Sequence, residues 1–280
     1  MKNTRFAADG ITGEKRILPE RKFDIGEGYI MAFYQITFSP TGGTAKTAET
    51  LASAMAEKRI FIDLLRPVPE TSLTAEDICL IAVPSFGGRI PTTCAERLQK
   101  ISANGARAIF VCVYGNRAYE DTLSELQDVL VSRGFYCIAA VAAIAEHSII
   151  REFGASRPDA ADREQLAAFA KRIREKLATP IEEPLAVPGE HGTYKPYQNT
   201  PFIPAETDAC IHCGTCAEAC PTAAIGDTPE KVDPARCIKC MRCEAVCPTG
   251  ARKLEGKIYA ALRERLAAVC STRRENELFL

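Results

Sequence analysis

The sequence predicts a parallel five-stranded sheet covered on both faces by helices, followed by a small cysteine-rich module. Three observations carry that reading. Short apolar runs alternate with longer helical patterns between residues 32 and 177, a proline-rich stretch without periodicity follows, and eight of the 13 cysteines crowd between Cys210 and Cys247. Alternation of strand and helix marks a doubly wound α/β domain, whose sheet is buried on both faces and whose ligands bind outside the carboxyl ends of the strands.

Residues 1–30 show no sustained periodicity and read as an N-terminal tail or extension. The apolar runs at 32–38, 60–65, 78–83, 108–113 and 135–144 read as strands. Helical periodicity spans 45–57, 92–101, 119–133 and 159–177, whereas the stretch between Ile60 and Ile78 is too short and proline-rich for a helix. An α/β domain over 31–178 results, with its site expected in the loops after the first, third and fourth strands. Residues 179–205 hold Pro180, Pro184, Pro188, Pro196, Pro201 and Pro204 and read as a semi-extended linker. Its Tyr194, Tyr197 and Phe202 point to partial packing against a domain surface. The cysteine module occupies 206–256, and a C-terminal helix and tail, 257–280, includes an amphipathic helix at 258–269 that covers its own domain.

Hydrophobic residues make up 46% of the chain and charged residues 25%, with a formal net charge of -1. That balance is ordinary for a globular protein and lacks the basic excess of a nucleic-acid binder. No uncharged apolar stretch reaches the ~18 residues a membrane helix requires. Lys2, Arg5, Asp9, Glu14, Lys15 and Arg16 interrupt any secretion signal, so a cytoplasmic chain without a membrane span is expected. A dense cysteine block in such a chain points to metal rather than disulfides. Cys79, Cys94, Cys112, Cys137 and Cys270 lie in strand or helix patterns and read as small buried hydrophobes.

The two blocks are Cys210, Cys213, Cys216, Cys220 with Pro221, and Cys237, Cys240, Cys243, Cys247 with Pro248. Each has the form C-x2-C-x2-C-x3-C-P, and each cysteine of the first recurs 27 residues later in the second, an internal duplication that implies two equivalent sites. Three thiolates on a tight loop hold three irons of a cubane, and the fourth iron takes a ligand from elsewhere. A zinc ribbon on Cys210, Cys213, Cys237 and Cys240 would leave four regularly spaced cysteines unexplained. The block resembles the bacterial two-cluster ferredoxins from about Ala205 to Gly256. In that arrangement the fourth cysteine serves the other cluster, so Cys210, Cys213, Cys216 and Cys247 would hold one [4Fe-4S] cluster and Cys220, Cys237, Cys240 and Cys243 the other. His212 inside the first loop is then a surface or supporting residue. Arg252 departs from the repeat, standing where the first block has Ile225, and is expected to alter packing or solvent access at one cluster and so its potential.

Directly after the first strand comes Ser39-Pro40-Thr41-Gly42-Gly43-Thr44, leading into a helix. Main-chain N–H groups at a helix start, glycines that permit close approach and added hydroxyls suit a phosphate monoester. The loop lacks both G-x-G-x-x-G and G-K-[ST], which disfavours NAD and ATP. The loop after the third strand carries Ser85, Phe86, Gly87 and Gly88, and the loop after the fourth carries Gly115, Asn116 and Tyr119. Each sets an aromatic beside residues that expose main-chain groups, the surroundings an isoalloxazine ring needs. Arg89 and Arg117 read first as solvated loop residues, with contact to phosphate, substrate or a partner as the alternative, Lys46 is open between the same readings, and His147 reads as structural; no general acid, base or nucleophile emerges.

Residues 32–178 resemble flavodoxin, whose phosphate loop follows S/T-x-T-G-x-T, matched by Ser39, Thr41 and Thr44. The resemblance implies strand order 2-1-3-4-5 and bound FMN, with Gly42 and Gly43 in the phosphate cradle. It also implies Phe86 and Tyr119 as ring walls, with Ser85, Gly87, Gly88, Gly115 and Asn116 around the ring. As a whole the chain is similar to the flavodoxin-ferredoxin fusion proteins found mainly in anaerobes, which implies a small α+β ferredoxin domain after the flavodoxin-like one. That family implies single-electron transfer between FMN, two [4Fe-4S] clusters and an external redox partner protein. A flavin-dependent reductase of a small substrate and a redox sensor with an empty flavodoxin fold are the readings from other classes. Residues 206–255 carry a formal balance of only -2, so no strongly acidic docking face is expected.

Overall fold

A computed structural model describes residues 31–179, 183–197 and 202–280, and residues 31–280 form one compact unit. The tail reading of residues 1–30 and part of the linker reading lie outside the described residues.

The first strand is β1 (Phe33–Thr37), followed by α1 (Gly43–Ser53) and β2 (Ile60–Asp63). No helix joins β2 to β4 (Ile78–Pro84); Pro67 and Pro69 remove backbone donors there, and the segment instead forms β3 (Thr71–Ser72), paired with β5 (Ile101–Ser102) beyond α2 (Thr92–Leu98). β6 (Arg107–Tyr114), α3 (Thr122–Ser132), β7 (Tyr136–Ile144) and α4 (Ala160–Leu177) complete the series. The cysteine module contains β8 (Ala205–Glu206), α5 (Thr215–Glu218), α6 (Arg242–Ala245) and β9 (Arg252–Lys253), and the chain ends with α7 (Gly256–Cys270) and β10 (Glu277–Phe279).

The main sheet runs β10-β7-β6-β4-β1-β2. Five of its strands are mutually parallel, and β10 is antiparallel to β7, with Leu278 opposite Val141. The sheet is therefore six-stranded and mixed, not five-stranded and parallel as expected. A three-residue strand has no measurable periodicity, and its place is set by the free edge of β7, which it covers.

Strands buried on both faces should read as continuous apolar runs, and β4, β6 and β7 do. On one face Leu80, Val111 and Val141 meet Leu51 of α1 and Leu166 and Ile173 of α4. On the other, Ile81, Phe110 and Cys112 meet Cys94 and Leu98 of α2 and Leu123 and Leu126 of α3. The chain is thus doubly wound, and the buried Cys79, Cys94 and Cys112 are packing groups. Helix α7 packs Leu262, Leu266 and Cys270 on Ile150 and Phe153. Among the described residues no helix is long and apolar enough to cross a membrane.

The linker segment 183–197 lies against α3 and the loop after β4. Gln127 donates to the Leu185 carbonyl at 2.8 Å, Gly192 N–H to Asp128 at 3.0 Å and the Tyr197 hydroxyl to the Ile90 carbonyl at 2.7 Å.

Candidate functional site

The duplication seen in the cysteine spacing recurs in the backbone. Left-handed conformations occur at His212 and Lys239, at Gly214 and Met241, and at Ala223 and Gly250, three pairs each separated by the same repeat. Gly214 and Met241 stand immediately before α5 and α6. These turns, disfavoured for residues with side chains, fold each block into the same loop. His212 is thereby a turn position, exposed and 3.7 Å from Glu230.

The two loops and their trailing segments border two small hollows. Cys220, Cys237, Cys240 and Cys243 line one; Cys210, Cys213, Cys216 and Cys247 line the other. In each, three cysteines come from one block and the fourth from its partner block. The antiparallel pair Ala205 to Lys253 and Glu206 to Arg252 closes the module on itself.

The two hollows have different surroundings. The first adjoins the α/β unit: Ile238 packs on its core, Arg97 of α2 donates to the Leu64 carbonyl at 2.6 Å and to the Pro221 carbonyl at 2.5 Å, and Arg242 donates to the Pro40 carbonyl at 3.1 Å. The second faces outward, with Ile211 63% exposed and Cys213 at the surface. Burial pushes the thiols of Cys240 and Cys243 up to about 12 and about 11, opposed at Cys243 by the Arg252 guanidinium. The Thr215 hydroxyl, 3.3 Å from the sulfur, pulls the Cys213 thiol down. At Cys220 burial works upward but is outweighed by the Thr222 hydroxyl and main-chain N–H groups, and Cys247 behaves likewise through Arg252 N–H and Thr249.

The Arg242 contact ends on the β1–α1 loop. There Ser39 Oγ accepts from Ala45 N–H at 2.8 Å, Gly42 is left-handed with φ +93 and open space where a Cβ would stand, and Gly43 is held so close to Ala145 that a Cβ would lie 2.9 Å from it. The N–H groups of Gly43 and Thr44 belong to the first helical turn, which has no acceptor within the helix. Thr44 is buried and Thr41 half-buried.

The loops after β4 and β6 are arranged differently. Phe86 and Arg89 bond each other across a tight turn at Gly87 and Gly88, and Ser85 Oγ lies 2.7 Å from Thr122 Oγ1. Glu120 lies directly over Gly88, held by Arg117 at 3.0 Å and Lys195 at 3.5 Å. The His147 ring lies against Gly115; its Nδ1 accepts from the N–H groups of Ile149 and Ile150 at 3.2 and 3.0 Å, and burial, reinforced by Arg117, lowers its pKa to about 4. That makes it a neutral, structural histidine. Asn116 is buried, donating to the carbonyls of Cys270 and Thr272 and accepting from Arg274 N–H. Tyr119 meets Tyr114 edge to face, ring centroids 5.2 Å apart, and donates to Glu277 at 3.1 Å. Arg89, expected to be solvated, pairs with Glu125 at 2.6 Å and lies over the rings of Tyr194 and Tyr197 at 4.9 and 4.3 Å. Sequence reasoning missed this assembly because its members come from three separate stretches, the loop after β4, helix α3 and the linker.

Residues 209–251 match the family model of the 4Fe-4S dicluster domain. The chain thus joins a doubly wound α/β unit to a segment that matches the dicluster model. No curated protein matches it. Among solved structures it is similar to a rubredoxin oxygen:oxidoreductase from Desulfovibrio gigas at 18% identity and TM-score 0.38, covering 53% of this chain and 37% of that one. A flavodoxin of Streptococcus pneumoniae TIGR4 is similar at 22% identity and TM-score 0.36, covering 52% and 99%. An FMN-bound flavodoxin of Fusobacterium nucleatum is similar at 9% identity and TM-score 0.35, covering 52% and 99%. Scores this low add nothing to the fold that the sheet order defines.

The donor chemistry of the dicluster segment fits the clusters, since each hollow offers four sulfurs and apolar walls. For FMN the fit is divided. The β1–α1 loop offers main-chain donors that suit a phosphate. At the ring end Glu120, Tyr119 and Asn116 are engaged by the chain itself, and an isoalloxazine does not fit them as they stand.

Proposed function

We propose that this chain is an electron-transfer iron–sulfur protein holding two [4Fe-4S] clusters and passing electrons to an external redox partner. The observation that carries this reading is the division of the eight cysteines into two four-sulfur hollows, each drawing its fourth sulfur from the other block. When bound, such clusters supply one-electron exchange. Cys220, Cys237, Cys240 and Cys243 would hold the inner one and Cys210, Cys213, Cys216 and Cys247 the outer one. Thr215, Thr222 and Thr249, near the sulfurs of Cys213, Cys220 and Cys247 at 3.3, 3.6 and 3.7 Å, support the thiolate form that metal binding requires. Arg97 and Arg242 fix the inner hollow beside the carboxyl edge of the sheet, and the outer hollow is left for a partner.

In functional terms the divisions are the α/β unit at 31–178, a linker at 179–205, the cluster module at 206–256 and the C-terminal helix and tail at 257–280, whose last strand returns to the α/β sheet. The ligand proposed for the α/β unit is FMN, with its phosphate on Ser39, Thr41, Gly42, Gly43 and Thr44. A second reading is favoured by the engaged ring-side residues: the unit works without flavin, and the chain is a redox sensor or a carrier of cluster electrons only.

Cofactor analysis of anaerobically purified protein tests both levels. About eight irons, eight sulfides and one FMN per chain support the full reading. The same iron and sulfide without flavin selects the second, and a zinc-only protein sinks the proposal altogether.

A further inference from the structure

Arg252 occupies an unusual position for a charged residue. Its side chain is 2% exposed, and it lines both cysteine hollows at once. The guanidinium stands on the Cys243 side, at the inner hollow, and the residue also borders Cys247 at the outer one. Nη1 also donates to the Pro229 carbonyl at 2.5 Å and to Glu206 at 3.2 Å, the one carboxylate paired with it among the described residues. Nε is buried and finds no partner among the described residues.

The first block provides an internal control. Ile225, one repeat earlier, holds the equivalent place behind Cys220, next to Ala224 whose N–H donates to that sulfur at 3.3 Å, and its side chain is buried and apolar. The position is therefore filled there without a charge. Burying a guanidinium is expensive unless it is paired and hydrogen-bonded, and packing alone would be served by the isoleucine.

We infer that Arg252 is a potential-setting residue shared by both clusters, a buried cation that donates through its spare N–H groups and raises the reduction potentials of both, the inner one more. The sign follows from electrostatics. Reduction adds negative charge, so a nearby cation and added donors favour the reduced state, and net charge and hydrogen bonding are the levers by which a protein sets such potentials. Side-chain contact on the Cys243 side makes the inner effect the larger. Glu206 opposes it by partly neutralising the guanidinium.

This inference rests on the two-cluster reading. It is tested by redox titration of the intact holoprotein, followed by electron paramagnetic resonance, for wild type, Arg252→Ile, Arg252→Lys and Glu206→Gln, with iron counted in each. Two unequal shifts to more negative potential are expected in Arg252→Ile, smaller ones in Arg252→Lys, and shifts to more positive potential in Glu206→Gln. Full iron with potentials unmoved in Arg252→Ile overturns the inference and makes Arg252 a packing residue. Should Arg252→Ile fail to retain iron, Glu206→Gln decides: a positive shift supports the inference, and no shift overturns it. A wild type lacking clusters would instead sink the underlying reading.

Discussion

The two ends of the sheet's carboxyl edge have been used in different ways. At the β1–α1 end, the cluster module approaches through Arg242 and Ile238, yet the Gly43 and Thr44 N–H groups of α1 keep no acceptor within the helix. At the β6–α3 end, the chain fills its own space: Asn116 is spent on Cys270, Thr272 and Arg274 and Tyr119 on Glu277 of the C-terminal segment, and Gly115 is covered by His147 of the loop after β7. One fold edge thus carries an open polar cradle beside a sulfur-lined hollow and, some strands away, a closed hydrogen-bonded plug. The difference teaches that a loop motif in the right place reports the fold more securely than it reports a ligand, because later parts of the chain compete for the same groups.

The largest expected effect is at the first end. Cys240→Ala should lose about four irons per chain. Because Ile238 and Arg242 sit in the same loop and anchor on the α/β unit, amide exchange through residues 39–48 should accelerate as well. Cys213→Ala, in the outer hollow, should lose a similar amount of iron and leave that exchange alone. Equal acceleration in both variants would show that the inner hollow is no closer coupled to the sheet edge than the outer.

The next effect is at the second end and depends on pH. The folded pKa of His147 is lowered from 6.5 to about 4. Between those values the unfolded chain binds more protons than the folded one, so stability is full above pH 6.5, falls as pH drops, and levels off below about 4. The whole span is worth about 3 kcal/mol, of which about 1 kcal/mol is lost by pH 5.5. Thermal unfolding compared at pH 7.5 and 5.5 for wild type and His147→Gln reads it directly. The variant should be less stable at pH 7.5 and less sensitive to the change; an unaltered sensitivity would remove His147 as the source.

What was legible in the sequence divides along the same line. The central strands β4, β6 and β7 announce themselves because both their faces are buried, leaving continuous runs such as Ile78–Pro84. The cysteine blocks do so because a loop ligating a cluster tolerates little change in spacing. Groups fixed by distant chain were not legible. The strand Glu277–Phe279 is only three residues long, and the side chain of Asn276 helps seat it by accepting from Ile144 N–H at 2.9 Å. Arg252 showed as an exception to the repeat, but its burial between two hollows depends on the pairing of β8 with β9. Asn116 and Tyr119 stand in the loop where the sequence placed them, and only the path of the C-terminal segment decides what their polar groups meet.

The smallest effect tests whether the closed end can open. Glu120 lies over Gly88 and is tied to Arg117 at 3.0 Å and Lys195 at 3.5 Å, with its side chain 25% exposed. Ion pairs this accessible are each worth at most about 1 kcal/mol, so a flavin ring passing between the two loops would face a barrier of that order from Glu120 and a larger one from the buried Asn116 contacts. Glu120→Ala removes the first without touching the second. FMN affinity of the variant, followed by quenching of flavin fluorescence, should therefore rise by up to about tenfold over wild type, the equivalent of about 1.4 kcal/mol. A fall in affinity would mean that Glu120 contacts the ring rather than excludes it, and no change would place the ring away from Gly88. Either result would redraw the contrast between the two ends, since the plug would then consist of the C-terminal segment alone.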